Sequence, residues 1–472
     1  MVLSPRRLLP MLLALATPLS GSVFVRAATP QKPTSTRSLS TADEQMLHAA
    51  LDEYDAGDAR SAEPLLVSLT RRNPENYPAA EALGSLYAEA GKLKAALPLL
   101  QRATTLAPEE SLAFANLGAA YLKLSRLPEA VLNLRHAVAL DPGNAPSQSN
   151  LAQALMLSHD PQGALKAFAA ASAAAPSDTK IRYDWALTLF DNGAPDRAVE
   201  VLSQIPAADM TDQQHTLAAD ANERAGHFKE ALANFEEAAK QKPSDANLYG
   251  LTVELMRHWN WDEAIKVADY GSRLYPDSMH FRMAAGASLY AKSDFSGAVK
   301  VFSGLLSAEP EDATVADLLG RSCAALTDGE FNGCEAIYKY AQRHPGNPVM
   351  TTYAAIALLH APGDAGNLDK AETLLHAAIA RNPNYAEPYL RLGTVQQVRQ
   401  QWSASATSLE RAVDLNPASA EAHFRLSRAY AHLGRREDAQ KQNALRQSCD
   451  DQAKASLNAR MQEVVRFVLT PN

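Results

Sequence analysis

Asn116 and Asn150 stand 34 residues apart, and so do Arg391 and Arg425. Arg428 follows one helical turn after Arg425. Amides at a regular spacing can hydrogen-bond the backbone of a bound segment without reading its side chains, and a planar guanidinium can hold a carboxylate with two parallel hydrogen bonds. A plainer reading stands beside each. Asparagine is simply common at such positions. Glu387 and Glu421 each precede an arginine by four residues, the spacing of helix-surface pairs that contribute about 0.3–0.5 kcal/mol.

Binding, rather than catalysis, is the chemistry these residues offer. The twelve histidines are scattered, and no His-Glu-x-x-His, Cys-x-x-Cys, glycine-rich phosphate loop or Gly-x-Ser-x-Gly occurs. No catalytic group, metal site or cofactor is expected. Trp259-Asn260-Trp261 could form a recognition platform, but its place before the Ala264 segment favours packing at a turn. Of three cysteines, Cys323 and Cys334 lie on either side of Gly329 and Cys449 stands alone. At most one intramolecular disulfide can form, and Cys323–Cys334 is the candidate, the alternative being two buried thiols.

What positions these residues is a chain of 472 residues, 46% hydrophobic and 21% charged, with a formal net charge of −8. That composition is globular. No basic block of the kind that neutralises phosphates is present, which excludes nucleic acid as a partner. Arg6 and Arg7, an apolar run from Leu8 to Leu19 and the small-x-small run Val25-Arg26-Ala27 form an export signal over residues 1–27. Its apolar core is shorter than the roughly 20 residues a spanning helix needs, so cleavage after Ala27 is expected over retention as an anchor. Loss of Arg6, Arg7 and Arg26 takes the formal charge from −8 to −11. The mature chain, with no transmembrane segment, is then periplasmic or secreted. Residues 28–42 read as a flexible linker, rich in Thr, Ser, Pro and Lys, with helix starting near Thr41.

From there onward apolar residues recur at helical spacing and nowhere alternate as in a strand. Prolines mark a period: Pro74, Pro108, Pro142, Pro176, Pro243, Pro276, Pro310, Pro345, Pro383 and Pro417 are mostly 33–35 residues apart. Twelve residues before most of them is an alanine (Ala62, Ala96, Ala130, Ala164, Ala231, Ala264, Ala298, Ala371), and twelve earlier again often a small residue such as Gly84, Gly118, Gly286 or Gly393. Small residues are needed where antiparallel helices cross closely, and proline ends the second helix of each unit.

The pattern, as in Leu83-Gly84-Ser85-Leu86-Tyr87 with Ala96 and Pro108, and Leu117-Gly118-Ala119-Ala120-Tyr121 with Ala130 and Pro142, resembles the tetratricopeptide repeat. The resemblance covers roughly residues 43–450. It implies an all-α, right-handed superhelical solenoid of about eleven to twelve antiparallel helix pairs over residues 43–453. A C-terminal capping helix is expected over residues 454–472, with Leu457, Met461, Val464, Val465 and Val468 as its apolar stripe. Two departures are expected to show: the unit at 179–212 lacks the terminal proline, and an insertion near Ala361–Gly366 should lengthen one turn.

In this family the second, fifth, sixth, ninth, twelfth and thirteenth residues of each first helix line a concave groove. That register makes Asn116 and Asn150 a short peptide-binding ladder and Arg391, Arg425 and Arg428 a basic patch for acidic segments of a partner. The function implied is a non-catalytic scaffold for protein or peptide partners in the cell envelope or outside the cell. The alternatives are a non-catalytic part of a polysaccharide or protein export assembly, for which an acidic or aromatic-lined groove would speak, and a self-associating structural element.

Overall fold

A computed structural model of the chain describes residues 39–326, 333–361 and 366–469, with side chains as far as Ala455. The expected signal peptide, most of the linker, the 362–365 part of the insertion and the apolar stripe of the C-terminal segment lie outside the described residues or side chains. Among the described residues there are helices and no strand, and no helix is long and apolar enough to cross a membrane.

The chain divides into two units, 1–231 and 232–472, and the division falls inside one helix. In the first unit the helices are α1 (Thr41–Asp55), α2 (Ala59–Arg72), α3 (Tyr77–Glu89), α4 (Leu93–Leu106), α5 (Ser111–Lys123), α6 (Leu127–Leu140), α7 (Ala145–Leu157), α8 (Pro161–Ala174), α9 (Thr179–Asp191), α10 (Pro195–Leu202) and α11 (Asp212–Ala225). The dividing helix is α12 (Phe228–Gln241). The second unit continues with α13 (Asp245–Arg257), α14 (Trp261–Leu274), α15 (Met279–Ala291), α16 (Phe295–Ala308), α17 (Ala313–Ala325), α18 (Glu335–Arg343), α19 (Pro348–His360), α20 (Gly366–Arg381), α21 (Ala386–Val398), α22 (Trp402–Leu415), α23 (Ala420–His432) and α24 (Arg436–Leu469). Within each unit odd-numbered helices pack on their even-numbered partners, and successive odd-numbered helices lie side by side.

Sequence rules account for the units closely. All ten periodic prolines fall two residues after the last residue of an even-numbered helix, because the residue before proline is pushed out of the helical region. Each of Ala62, Ala96, Ala130, Ala164, Ala231, Ala264, Ala298 and Ala371 is fully buried. The small residues twelve positions earlier take the reciprocal side of the crossing. A Cβ added to Gly84, Gly118, Gly286 or Gly393 would approach Leu100, Leu134, Phe302 or Leu409 to 2.5–2.8 Å, inside van der Waals contact.

Three places depart from the expected pattern. α10 stops after eight residues, and a short 3-10 turn at Ala207–Asp209 follows Pro206 where ten of the other units run on to a terminal proline. α18 is only nine residues long and packs lightly on α17, which leans against α19 instead. At this thin point Cys323, in α17, and Cys334, the residue before α18, are joined by a disulfide with Cα atoms 5.9 Å apart, and both are buried. The third departure corrects an expectation. No separate capping helix begins at 454, because α24 runs unbroken for 34 residues from the last helix pair. Gln452, Ala453 and Lys454, where the boundary was expected, are neither glycine nor proline and do not end a helix.

Candidate concave binding strip

In the second unit α13, α15, α17, α19, α21 and α23 lie side by side and bring their concave-register positions into one strip. Tyr290, Asp317, Arg321, Tyr353, His360, Glu387, Arg391, Glu421 and Arg425 all occupy such positions. Arg321 Nε donates to Asp317 Oδ2 at 2.6 Å. Arg391 Nε donates to Glu387 Oε1 at 2.7 Å and its Nη1 to Glu421 Oε1 at 3.1 Å, while Arg425 Nε reaches the same Glu421 oxygen at 2.9 Å. The result is a chain of two arginines and two glutamates that links α21 to α23.

Electrostatics follows from that pairing. Burial works against the charged form of Glu421, but Arg391 and Arg425 outweigh it and hold its carboxyl below the ordinary range. Burial, helped by the charge of Arg391, lowers the basicity of His360. Burial raises the phenols of Tyr353 and Tyr385 well above their usual value, with Asp317 adding to the first and Tyr353 to the second. Tyr353 is placed by a glycine, since any Cβ at Gly320 would overlap its ring. These are neutral aromatic groups beside internally neutralised ion pairs.

The expected basic patch is therefore corrected. Arg391 and Arg425 spend their guanidinium groups on Glu387 and Glu421, the outcome the four-residue spacing allowed, and only Arg428 of the three is exposed. The asparagine ladder is corrected too. Asn116 and Asn150 are fully buried, and Asn116 Nδ2 donates to Glu81 Oε1 at 2.5 Å, an oxygen that also accepts from Ser85 Oγ at 2.8 Å. Ala82, Ala115 and Ser149, all buried, leave the first helices room to close over the amides. Trp259 and Trp261 stack on each other with centroids 6.3 Å apart.

A Ser–His–Asp grouping does occur, and it is arranged for structure. Asp245 accepts from Ser278 Oγ at 2.5 Å and faces His280 Nε2 at 3.1 Å, while the same Oγ is 3.4 Å from both ring nitrogens of His280. The serine proton is thus directed at the carboxylate instead of the imidazole, the reverse of the order nucleophilic catalysis needs. The network ties the start of α13 to that of α15.

Sequence reasoning missed Tyr290, Asp317, Arg321 and Tyr353, although the six-position register applied to every unit finds them. Tyr385 could not be found that way, because it precedes the first residue of α21.

Among solved structures, Pseudomonas aeruginosa pilF is similar at 16% identity over 44% of this chain and 94% of its own, with a TM-score of 0.39. A tetratricopeptide repeat protein from Parabacteroides merdae is 16% identical over 53% of this chain and 100% of its own (TM-score 0.37). The APC/C hetero-tetramer Cut9-Hcn1 is 12% identical over 91% and 97% (TM-score 0.36). No curated protein matches the chain. Family models described as tetratricopeptide repeat match residues 47–111, 81–145, 249–313 and 390–453, and a further one so described matches 155–221. With the period, the buried alanines and the glycine crossings accounted for by the same helix pairs, the chain belongs to the tetratricopeptide repeat family.

Proposed function

We propose that this chain is a non-catalytic scaffold that holds protein or peptide partners along the concave strip of its second unit, in the cell envelope or outside the cell. One observation carries the reading: a continuous row of tyrosines and paired arginines and carboxylates at the concave positions of α15 to α23. Rigid aromatic and planar polar groups of this kind give contact area at low entropic cost. A photo-crosslinking phenylalanine analogue placed at Tyr290 should capture a partner in the native host, while the same probe at Leu132, exposed on α6, should not. Equal capture at both places, or at neither, would count against the strip.

The export signal supports the location. N-terminal sequencing of the protein from the native host should begin at Ala28, and an intact start at Met1 would refute export by cleavage. The tyrosines also favour a second reading, a non-catalytic part of a polysaccharide or protein export assembly. Retardation in gels loaded with the host's surface polysaccharide, abolished by Tyr290→Ala with Tyr385→Ala, would favour that ligand over a peptide.

A further inference from the structure

At the C-terminal end of the strip the character of the surface changes. Val398, the thirteenth residue of α21, is 64% exposed, and Phe424, the fifth of α23, is 45% exposed. Gln397 Nε2 donates to the Arg425 carbonyl at 2.7 Å, which holds the end of α21, where Val398 is the last residue, against α23. Arg428, one helical turn after Phe424 and on the same face, is exposed. No described carboxylate pairs with it, whereas Glu387 and Glu421 occupy Arg391 and Arg425. Three arginines meet two carboxylates, and the one positive charge left over lies next to uncovered apolar surface.

We infer that Val398, Phe424 and Arg428 form a docking point for a partner segment that carries an apolar side chain a few residues from an aspartate or glutamate. The apolar group covers Phe424 and Val398, and the carboxylate completes the charge of Arg428. Adjacent desolvated surface makes such a pair stronger than an isolated surface ion pair. An anionic membrane fits less well, because surface attraction grows with the number of free cations and two of these three are already neutralised. The inference rests on the reading of the strip as a partner-binding face and names which part of it selects the partner.

Selection of a random peptide library displayed on phage against the full-length chain and against Arg428→Glu tests it. The wild type should enrich sequences pairing Leu, Ile, Met or Phe with Asp or Glu, and Arg428→Glu should enrich the same apolar residues with Lys or Arg. A synthetic peptide from the wild-type selection, followed by fluorescence anisotropy, should bind Arg428→Ala and Phe424→Ala about tenfold or more weakly, and Arg428→Ala should also lose salt dependence. Both side chains are exposed, so the variants should keep the helical spectrum of the parent. Enriched peptides without an acid, or peptides whose binding ignores both substitutions, would overturn the docking point alone. Failure of the wild type to enrich any peptide would remove the partner-binding reading itself.

Discussion

Glu81 is 6% exposed in the first unit, and burial pushes its carboxyl up to about 7 against the hydrogen bonds of Ser85 and Asn116, with Asp55 and Glu89 adding to the rise. An acid whose folded value is raised favours its neutral form, so the stability it contributes is complete below its unfolded value near 4.5 and is lost as pH climbs through about 7. The whole effect is on the order of 3 kcal/mol. Glu81→Gln should therefore leave stability nearly unchanged at pH 4 and raise it at pH 8, as read by urea unfolding at the two values. An equal effect at both would show that folding does not raise the carboxyl above its unfolded value. Arg391 presents the complementary case, a cation shared by two glutamates. Arg391→Ala should cost about 1–3 kcal/mol, because it leaves Glu387 and Glu421 without their common partner. A chemical-denaturation midpoint indistinguishable from the parent would refute that. The sequence placed Asn116 and Arg391 at repeated positions. It could not show whether each faced a ligand or another side chain, because the partners, Glu81 and Glu421, lie 35 and 30 residues away on neighbouring helices.

Ten of the turns inside the helix pairs put one residue in the left-handed region: Gly57, Gly91, Ser125, His159, Gly193, Gly226, Trp259, Ser293, Gln400 and Gly434. An L side chain is strained there, whereas glycine is not. Ser125→Gly and Gln400→Gly should each stabilise the protein by about 0.5–1 kcal/mol, seen as a raised urea midpoint; a lowered midpoint would mean the side chains make contacts that outweigh the strain. Trp259 should not behave this way, since it stacks on Trp261. Between α17 and α18 the disulfide stands in for helix packing. Replacing Cys323 and Cys334 together with Ala should cost about 2–3 kcal/mol for so short a loop. Thiol titration of the unfolded, unreduced protein should find one free thiol, Cys449, and three would disprove the bond. The repeat length was legible from the prolines; the short α18 was not, because nothing in Glu335–Arg343 breaks a helix. It starts only after Gly333, whose positive φ lies outside the helical region.

At the scale of the molecule, helix pairs within each unit pack against their immediate neighbours, so stability is close to a sum of local terms. The effects of Glu81→Gln, in the first unit, and of the double cysteine replacement, in the second, should add to within about 0.5 kcal/mol when combined. Differential scanning calorimetry should resolve more than one unfolding step, with each substitution moving a different one. A single transition moved by both would show the chain unfolds as one cooperative body.

The sequence by itself determined the helix pairs, the ends of those that a proline closes, and the family, because those depend on local rules: where proline forbids a helix, where only alanine or glycine fits a crossing, where a period repeats. It also carried the register of the concave positions. Only the tertiary structure decided which of those positions are open. Whether Asn116 meets a ligand or Glu81, and whether Arg391 holds Glu421 besides the Glu387 of its own helix, depends on side chains a repeat away that the fold brings to hydrogen-bond distance. Arg428 differs from Arg425 in having Phe424, not a carboxylate, four residues before it. It is left unpaired because Glu421 lies four residues before Arg425, and no described carboxylate reaches the next turn.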